Sequence, residues 1–153
     1  MTLELMDEVL RLAGAAAAGG IIGINRDIAK KPIGLRTLAL VSLGAAIATV
    51  AAIQMPGMGE NPDAMSRVVQ GAIQGIMTGI SFIGAGVVLR DARARTVEGL
   101  TTAATVWIAA ALGIACGLGE WTTAVTGTAL AIVLLVMFEW FETKFGIGKS
   151  KKE

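Results

Sequence analysis

The sequence contains no histidine and a single cysteine, Cys116. Without histidine, the chain lacks the commonest transition-metal ligand and the usual proton relay near neutral pH. A lone cysteine has no partner for a disulfide within the chain. We therefore expect no zinc or redox chemistry, and neither a cofactor nor a resident metal.

Charged residues are also scarce. They make up 16% of the 153 residues, whereas about 25% is usual in soluble domains. Hydrophobic residues make up 54% of the chain, and the mean hydropathy is +0.70. This composition predicts an integral membrane protein, in which the placement of the charges carries more information than the net charge of +1.

Five apolar segments approach the roughly 20 residues that a membrane-spanning helix needs. We place them at about 6–24, 37–55, 66–89, 100–118 and 122–141. The apolar part of the first segment runs only from Leu12 to Ile24, so a shallow helix is the alternative there. Acidic residues precede it, which argues against a cleaved secretory signal because such signals begin with basic residues. The sequence predicts an all-α bundle of five transmembrane helices.

Basic residues are confined to alternate connections between these segments. All but two of the 13 lysines and arginines lie in 25–36, in 90–99 or in the C-terminal tail, while 56–65 carries only acids. The positive-inside rule then predicts an outside N-terminus and a cytoplasmic C-terminus, which five crossings satisfy and four do not. We expect one transmembrane domain over 1–143 and a short basic cytoplasmic tail over 144–153, too short for a second domain.

Two local signals refine the helix ends. Asn61 is a favoured N-cap and Pro62 a favoured first helical residue, so the third helix should begin there. Trp121 and Trp140 lie near segment ends, as is typical of the membrane–water interface. Trp107 falls in the middle of a segment and is predicted to pack against other helices.

Glycines four residues apart share one helix face and let another backbone approach closely. This spacing occurs in three segments, at Gly19 and Gly23, at Gly71, Gly75 and Gly79, and at Gly113 and Gly117. One interpretation is packing within this chain alone. The other adds a face for a partner or for a second copy.

A polar row accompanies the glycines of the third segment, at Gln70, Gln74, Thr78 and Ser81. Because amides in a bilayer need hydrogen-bond partners, the row either joins helices of the bundle or forms a polar path or docking groove.

Charge is absent from the middle of the bundle: no Asp, Glu, Lys or Arg lies in 37–53, 70–89 or 100–118. Cation and proton transporters usually retain such residues along their route. Magnesium prefers carboxylate oxygens, but Asp27, Asp91 and Glu98 lie in connections, where a solvated surface is the default interpretation. No phosphate-binding loop or set of nucleophile and base is present. We expect no enzyme, no metal site and no nucleic-acid partner.

Two stretches resemble the signatures of the MgtC/SapB family of membrane proteins. They are GGIIGINRDIAKKPIGLRTLALVSLGA over 19–45 and GISFIGAGVVLRDARARTVEGLTTAATVWIAAALGIACGLG over 79–119. The resemblance spans about residues 10 to 135. It implies the following family-motif positions: Gly23, Arg26, Gly34, Leu35, Arg36 and Thr37 in the first motif, and Gly79, Phe82, Gly84, Ala85, Gly86, Gly99, Leu100, Thr101, Thr102, Ala103, Trp107, Cys116 and Gly117 in the second. We add Asp27 and Gly75 to these positions as candidate interaction residues.

The resemblance implies a protein of the bacterial inner (plasma) membrane. Some family members are needed for growth at low magnesium and for survival of pathogens inside macrophages. It further implies a regulator of another integral membrane protein, with an ATP synthase subunit or a magnesium pump as candidate partners, rather than a magnesium transporter. Membrane lipid and a second copy of the chain are the other expected contacts.

The chain departs from the family pattern in the first motif. Asn25 stands where a glutamate usually precedes the arginine, and Leu38 stands where histidine is common. A carboxylate–guanidinium pair is expected to be lost at the first position. Many members also carry a soluble C-terminal domain, which we do not expect here.

Single residues of the motifs have two interpretations each. Cys116, beside Gly117, is either a small packing residue or a functional thiol. Arg26 and Arg36 either set topology and contact anionic lipid, or build a cytoplasmic cluster that anchors loops or meets a partner. That cluster would include Arg90, Asp91, Thr101 and Thr102. The alternatives to a regulator are an oligomeric transporter or channel around the polar row, and a purely structural scaffold.

Overall fold

The computed structural model describes residues 2–55, 61–91 and 99–145. These residues form five helices: α1 (Thr2–Ile28), α2 (Leu35–Ile53), α3 (Pro62–Asp91), α4 (Leu100–Leu118) and α5 (Trp121–Phe145). The prediction of an all-α chain with five helices is confirmed. The ends of α2 and α4 agree with it closely, whereas α1 and α3 continue for several residues beyond the apolar segments.

Four helices are long and apolar enough to cross a membrane, namely α2, α4, Pro62–Val88 of α3 and Trp121–Phe141 of α5. The first helix is not among them, because charged residues occupy both of its ends. Much of the predicted basic surface lies outside the described residues, including Arg93, Arg95 and the tail beyond residue 145. The side chains of Arg90 and Asp91 also lie outside them.

Helices α2 and α4 run parallel at the centre of the bundle, in contact through glycines of α4. A Cβ atom at Gly113 would lie 2.1 Å from the carbonyl oxygen of Ser42, and one at Gly117 would lie 2.8 Å from Thr49 Cβ. The two backbones therefore approach more closely than any other residue type would permit.

Helix α1 packs antiparallel against α2 in the same way. A Cβ at Gly19 would lie 2.3 Å from the carbonyl oxygen of Leu38, and one at Gly23 would lie 2.4 Å from Leu35 Cα. At the opposite end of the pair, Gln54 Nε2 donates a 3.4 Å hydrogen bond to Glu8. The prediction that the glycine pairs of α1 and α4 pack within the chain is confirmed.

The core between these three helices consists mainly of small side chains. Cys116 is 1% exposed and packs in a cluster with alanines: Ala15, Ala46, Ala115 and Ala124. This environment favours the packing interpretation of Cys116, because the thiol fills a space that its alanine neighbours leave.

Apart from Ala124 of α5, helices α3 and α5 contribute little to this core. In their apolar spans only 6% of residues are buried, against 61% in α4.

Asn61 Oδ1 accepts a 3.1 Å hydrogen bond from the Ala64 N–H, which confirms the predicted N-cap of α3. Near the end of α5, Lys144 Nζ lies 4.4 Å from the ring centroid of Trp140.

The prediction that Trp107 packs against other helices is met only on the side that faces α3. Its side chain is 46% exposed and lines a gap between α3 and α4. The reason is that α4 turns its glycine and alanine face towards α2, so that the opposite face meets the loosely packed outer helix.

Candidate interaction surface

The first family motif forms a tight corner between α1 and α2. Two residues after the end of α1, Lys30 adopts a left-handed conformation (φ 54°), and the N–H of Lys31 donates to the carbonyl of Arg26 at 3.0 Å. Asp27 Oδ2 then accepts the N–H of Leu35 at 2.9 Å and caps α2. The side chain of Asp27 is exposed, as expected of a solvated surface, and the structure adds its hydrogen bond to the start of α2.

Gly34, just before α2, leaves room for this carboxylate. A Cβ at Gly34 would lie 1.6 Å from Asp27 Oδ1, so any side chain would displace the capping carboxylate. The motif residues Gly23, Asp27 and Gly34 thus fix the direction in which the chain enters α2.

The two motifs meet at Arg26. Its side chain is 2% exposed and donates a hydrogen bond to the Thr102 hydroxyl at the start of α4. Its Nε has no hydrogen-bond partner among the described residues. Burial lowers the pKa of Arg26, and the negative charge of Glu139 on α5 offsets only part of this decrease. The guanidinium stays protonated at neutral pH, so Arg26 is a buried cation that joins α1 to α4.

Of the predicted cytoplasmic cluster, the part with described side chains is joined only by the bond between Arg26 and Thr102, and the side chains of Arg90 and Asp91 lie outside the described residues. Arg36 and Thr101 are exposed and take no part in the contact between Arg26 and Thr102.

A second arginine that links two helices, Arg11, was not predicted from the sequence. Arg11 donates to the carbonyl oxygen of Gly117 at 2.9 Å and to Asp7 at 2.7 Å. Only the bond to Asp7 could have been found in the sequence, because an acid and a base four residues apart lie on the same face of a helix.

The glycine row of α3 behaves differently from the other glycines. Gly71, Gly75 and Gly79 are exposed, and a Cβ at any of them would meet nothing within 4 Å. Packing within this chain alone is therefore the wrong interpretation for this row. A face for a partner or for a second copy stays a prediction.

The polar row of α3 is exposed along its whole length, at Gln70, Gln74, Thr78 and Ser81. The hydroxyl of Ser81 donates to the Met77 carbonyl of its own helix at 2.8 Å. Among the described residues, no hydrogen bond joins the row to another helix. The prediction that it links helices of this bundle is wrong, whereas a docking surface or a polar path stays a prediction.

Two open grooves flank α3. The first, of about 460 Å³, separates α3 from α2 and is bordered by Gly75 and Gly79. The second, of about 340 Å³, separates α3 from α4 and is bordered by Ser81 and Trp107. Phe82 of α3 borders neither groove and is 83% exposed. The outer face of α3 is thus incompletely packed within the described part of the chain.

Comparison of the amino-acid sequence with known proteins places this chain in a family. The model of the MgtC family matches residues 12–144. Protein SrpB of Synechococcus elongatus is 38% identical over 136 residues, which cover 84% of this chain and 73% of that protein. Protein MgtC of Salmonella typhimurium is 39% identical over 124 residues, which cover 81% of this chain and 49% of that protein.

Protein SapB of Bacillus subtilis is 30% identical over 150 residues, 96% of this chain and 63% of that protein. The chain therefore spans about half the length of the Salmonella relative and less than two thirds of the Bacillus one. No solved structure matches it. From the family match, these relatives and four helices apolar enough to cross a membrane, the chain is a membrane protein that belongs to the MgtC family.

Proposed function

We propose that this protein is a non-enzymatic membrane protein that modulates another integral membrane protein through helix contact on the outer face of α3. The observation that carries this proposal is the exposed polar row beside the exposed glycine row. Hydrocarbon offers no hydrogen-bond partner to the amides of Gln70 and Gln74, and an unpaired buried amide costs several kcal/mol. A protein helix with its own polar groups would satisfy them.

The glycine row supports the same proposal. Since a Cβ at Gly71 or Gly75 would meet nothing within this chain, a partner backbone has room to approach there and gain van der Waals contact. The other outer helix gives a useful contrast. The exposed residues of α5 include Val125, Leu130 and Val133, which suit lipid and need no partner.

We further propose that the chain crosses the membrane five times, as one transmembrane unit over 1–143 with the tail 144–153 in the cytoplasm. The contacts between α1 and α2 support this number. They extend from Gly23 near one end to Glu8 near the other, so α1 traverses the thickness that α2 traverses. The basic connections support an outside N-terminus, and relatives in Salmonella and Bacillus support the bacterial inner membrane.

The family resemblance supplies the candidate partners, an ATP synthase subunit or a magnesium pump, and the process, growth at low magnesium or intracellular survival. A photo-crosslinking amino acid at position 74, introduced in the organism's own membranes, tests the contact. We expect a heterologous adduct at position 74 and none at position 133 on α5, which is also exposed. Gly71→Leu should remove the adduct and impair growth at low magnesium. An equal yield of adducts at both positions would contradict the proposal.

The second candidate is an oligomeric transporter or channel lined by the polar row. The exposed amides and hydroxyls in one line along α3 favour it. Proteoliposomes that contain only this protein distinguish the two functions, because a transporter needs no other chain. Flux that Gln74→Leu abolishes would establish transport, and adducts at position 74 would then be dimers of this chain.

A further inference from the structure

The groove between α2 and α3 has walls suited to a hydrocarbon chain. Leu40, Val41 and Gly44 of α2 face Gly75 and Gly79 of α3 across a volume of about 460 Å³, within the usual range of small-molecule sites. A Cβ at Gly44 would meet nothing within 4 Å, and the same holds for the two glycines of α3. Space is therefore open along both walls of the groove.

The groove has one polar end. Thr37, in the first turn of α2, is its one lining residue with a hydroxyl, and exposed Arg36 precedes it. Arg36 and Leu40 are four residues apart and so lie on the same side of α2, where Leu40 is 67% exposed. An arginine in this position can extend its guanidinium to the headgroup region while its stem lies along the apolar wall.

Among the described residues, the corner that leads to this end carries more basic than acidic side chains. Lys30 and Lys31 are exposed in the corner that precedes α2. The nearby carboxylate of Asp27 is engaged by the N–H of Leu35. The N-terminus of α2 adds a partial positive charge in the same place. An anionic group is the complement of this arrangement, and an apolar chain is the complement of the groove below it.

We propose that the α2–α3 groove binds one anionic phospholipid, with an acyl chain against Gly44, Gly75 and Gly79 and the phosphate beside Arg36 and Thr37. Basic sites between transmembrane helices hold lipid headgroups by the same combination of charge and hydrocarbon contact. The phosphate end of this site is separate from the polar row proposed to meet a partner, because that row lies on the other side of the glycine row from α2. Gly75 borders both surfaces.

Native mass spectrometry of the purified full-length protein tests the site. The protein is exchanged into phosphatidylglycerol or into phosphatidylcholine with identical acyl chains, and lipid retention per chain is measured. We expect one retained phosphatidylglycerol. Arg36→Gln should lower the preference for phosphatidylglycerol about fivefold, the effect of one basic residue near an anionic surface. Arg67→Gln, an exposed arginine at the far end of α3, is the matched control.

The hydrocarbon part of the site is tested separately. Gly44→Leu should fill the groove and reduce retention of both lipids, whereas Ala51→Leu, exposed on α2 outside the groove, should not. Gly79→Leu repeats the test from the opposite wall, and circular dichroism verifies that each variant is folded. Equal retention by Arg36→Gln and Arg67→Gln would overturn the proposal. So would unchanged retention in both glycine variants, or a lipid-free dimer, which would make a second copy the occupant.

Discussion

Arg11 Nη1 donates a 2.9 Å hydrogen bond to the carbonyl oxygen of Gly117, 106 residues further along the chain. That carbonyl belongs to the last turn of α4, whose C=O groups have no partner within the helix and attract positive charge. Arg11→Met keeps most of the apolar stem but removes the donor. Since a hydrogen bond to a charged group is worth about 1.5–3 kcal/mol, we expect a lower thermal midpoint in detergent.

Arg67→Met is the control for this change, because Arg67 is an exposed arginine of α3. It should leave the midpoint nearly unchanged. Equal shifts in the two variants would show that the contact with Gly117 does not stabilise the fold.

A second prediction concerns the bond that joins the two motifs. Thr102→Val preserves the shape of a buried side chain and removes the hydroxyl that accepts from Arg26. The buried guanidinium would lose a partner, and we expect about 1.5–3 kcal/mol of destabilisation. Thr101→Val, one residue earlier and exposed, should have little effect. Unfolding of both variants in increasing denaturant measures the difference, and a larger loss from Thr101→Val would contradict the assignment.

A third prediction separates glycines that meet a helix from glycines that do not. Gly113→Ala places a methyl group 2.1 Å from the Ser42 carbonyl oxygen, so α4 must move away from α2. Overpacking of this kind typically costs about 1–3 kcal/mol. Gly44→Ala meets nothing within 4 Å and should be neutral or stabilising by up to about 1 kcal/mol, the difference in helix propensity. Thermal unfolding should therefore give shifts of different sign, and parallel shifts would contradict the packing described here.

The proposed topology gives a fourth prediction. Cys116 is 1% exposed, so the native protein should react slowly with a membrane-impermeant maleimide. In intact cells Glu4→Cys should label from outside, whereas Lys144→Cys should label only after lysis. A shallow α1 with four crossings would leave both termini in the cytoplasm, so protection of both positions in intact cells would contradict the fifth crossing.

The helices of this protein could be predicted from the sequence because the relevant signals are local. Four apolar segments have the length that a bilayer requires, and Asn61 caps α3 where its residue type favours a cap. The corner between α1 and α2 was visible only as a motif. Its geometry depends on the carboxylate of Asp27 reaching Leu35, which residue spacing does not specify.

The sequence by itself determined which faces of the helices are smooth, since a spacing of four residues places glycines on one side. It did not determine what those faces meet. Gly113 and Gly117 contact α2, whereas Gly75 and Gly79, with the same spacing, contact no helix. Only the tertiary structure decided this, because periodicity fixes the direction of a side chain relative to its own helix axis and carries no information about the neighbouring helix.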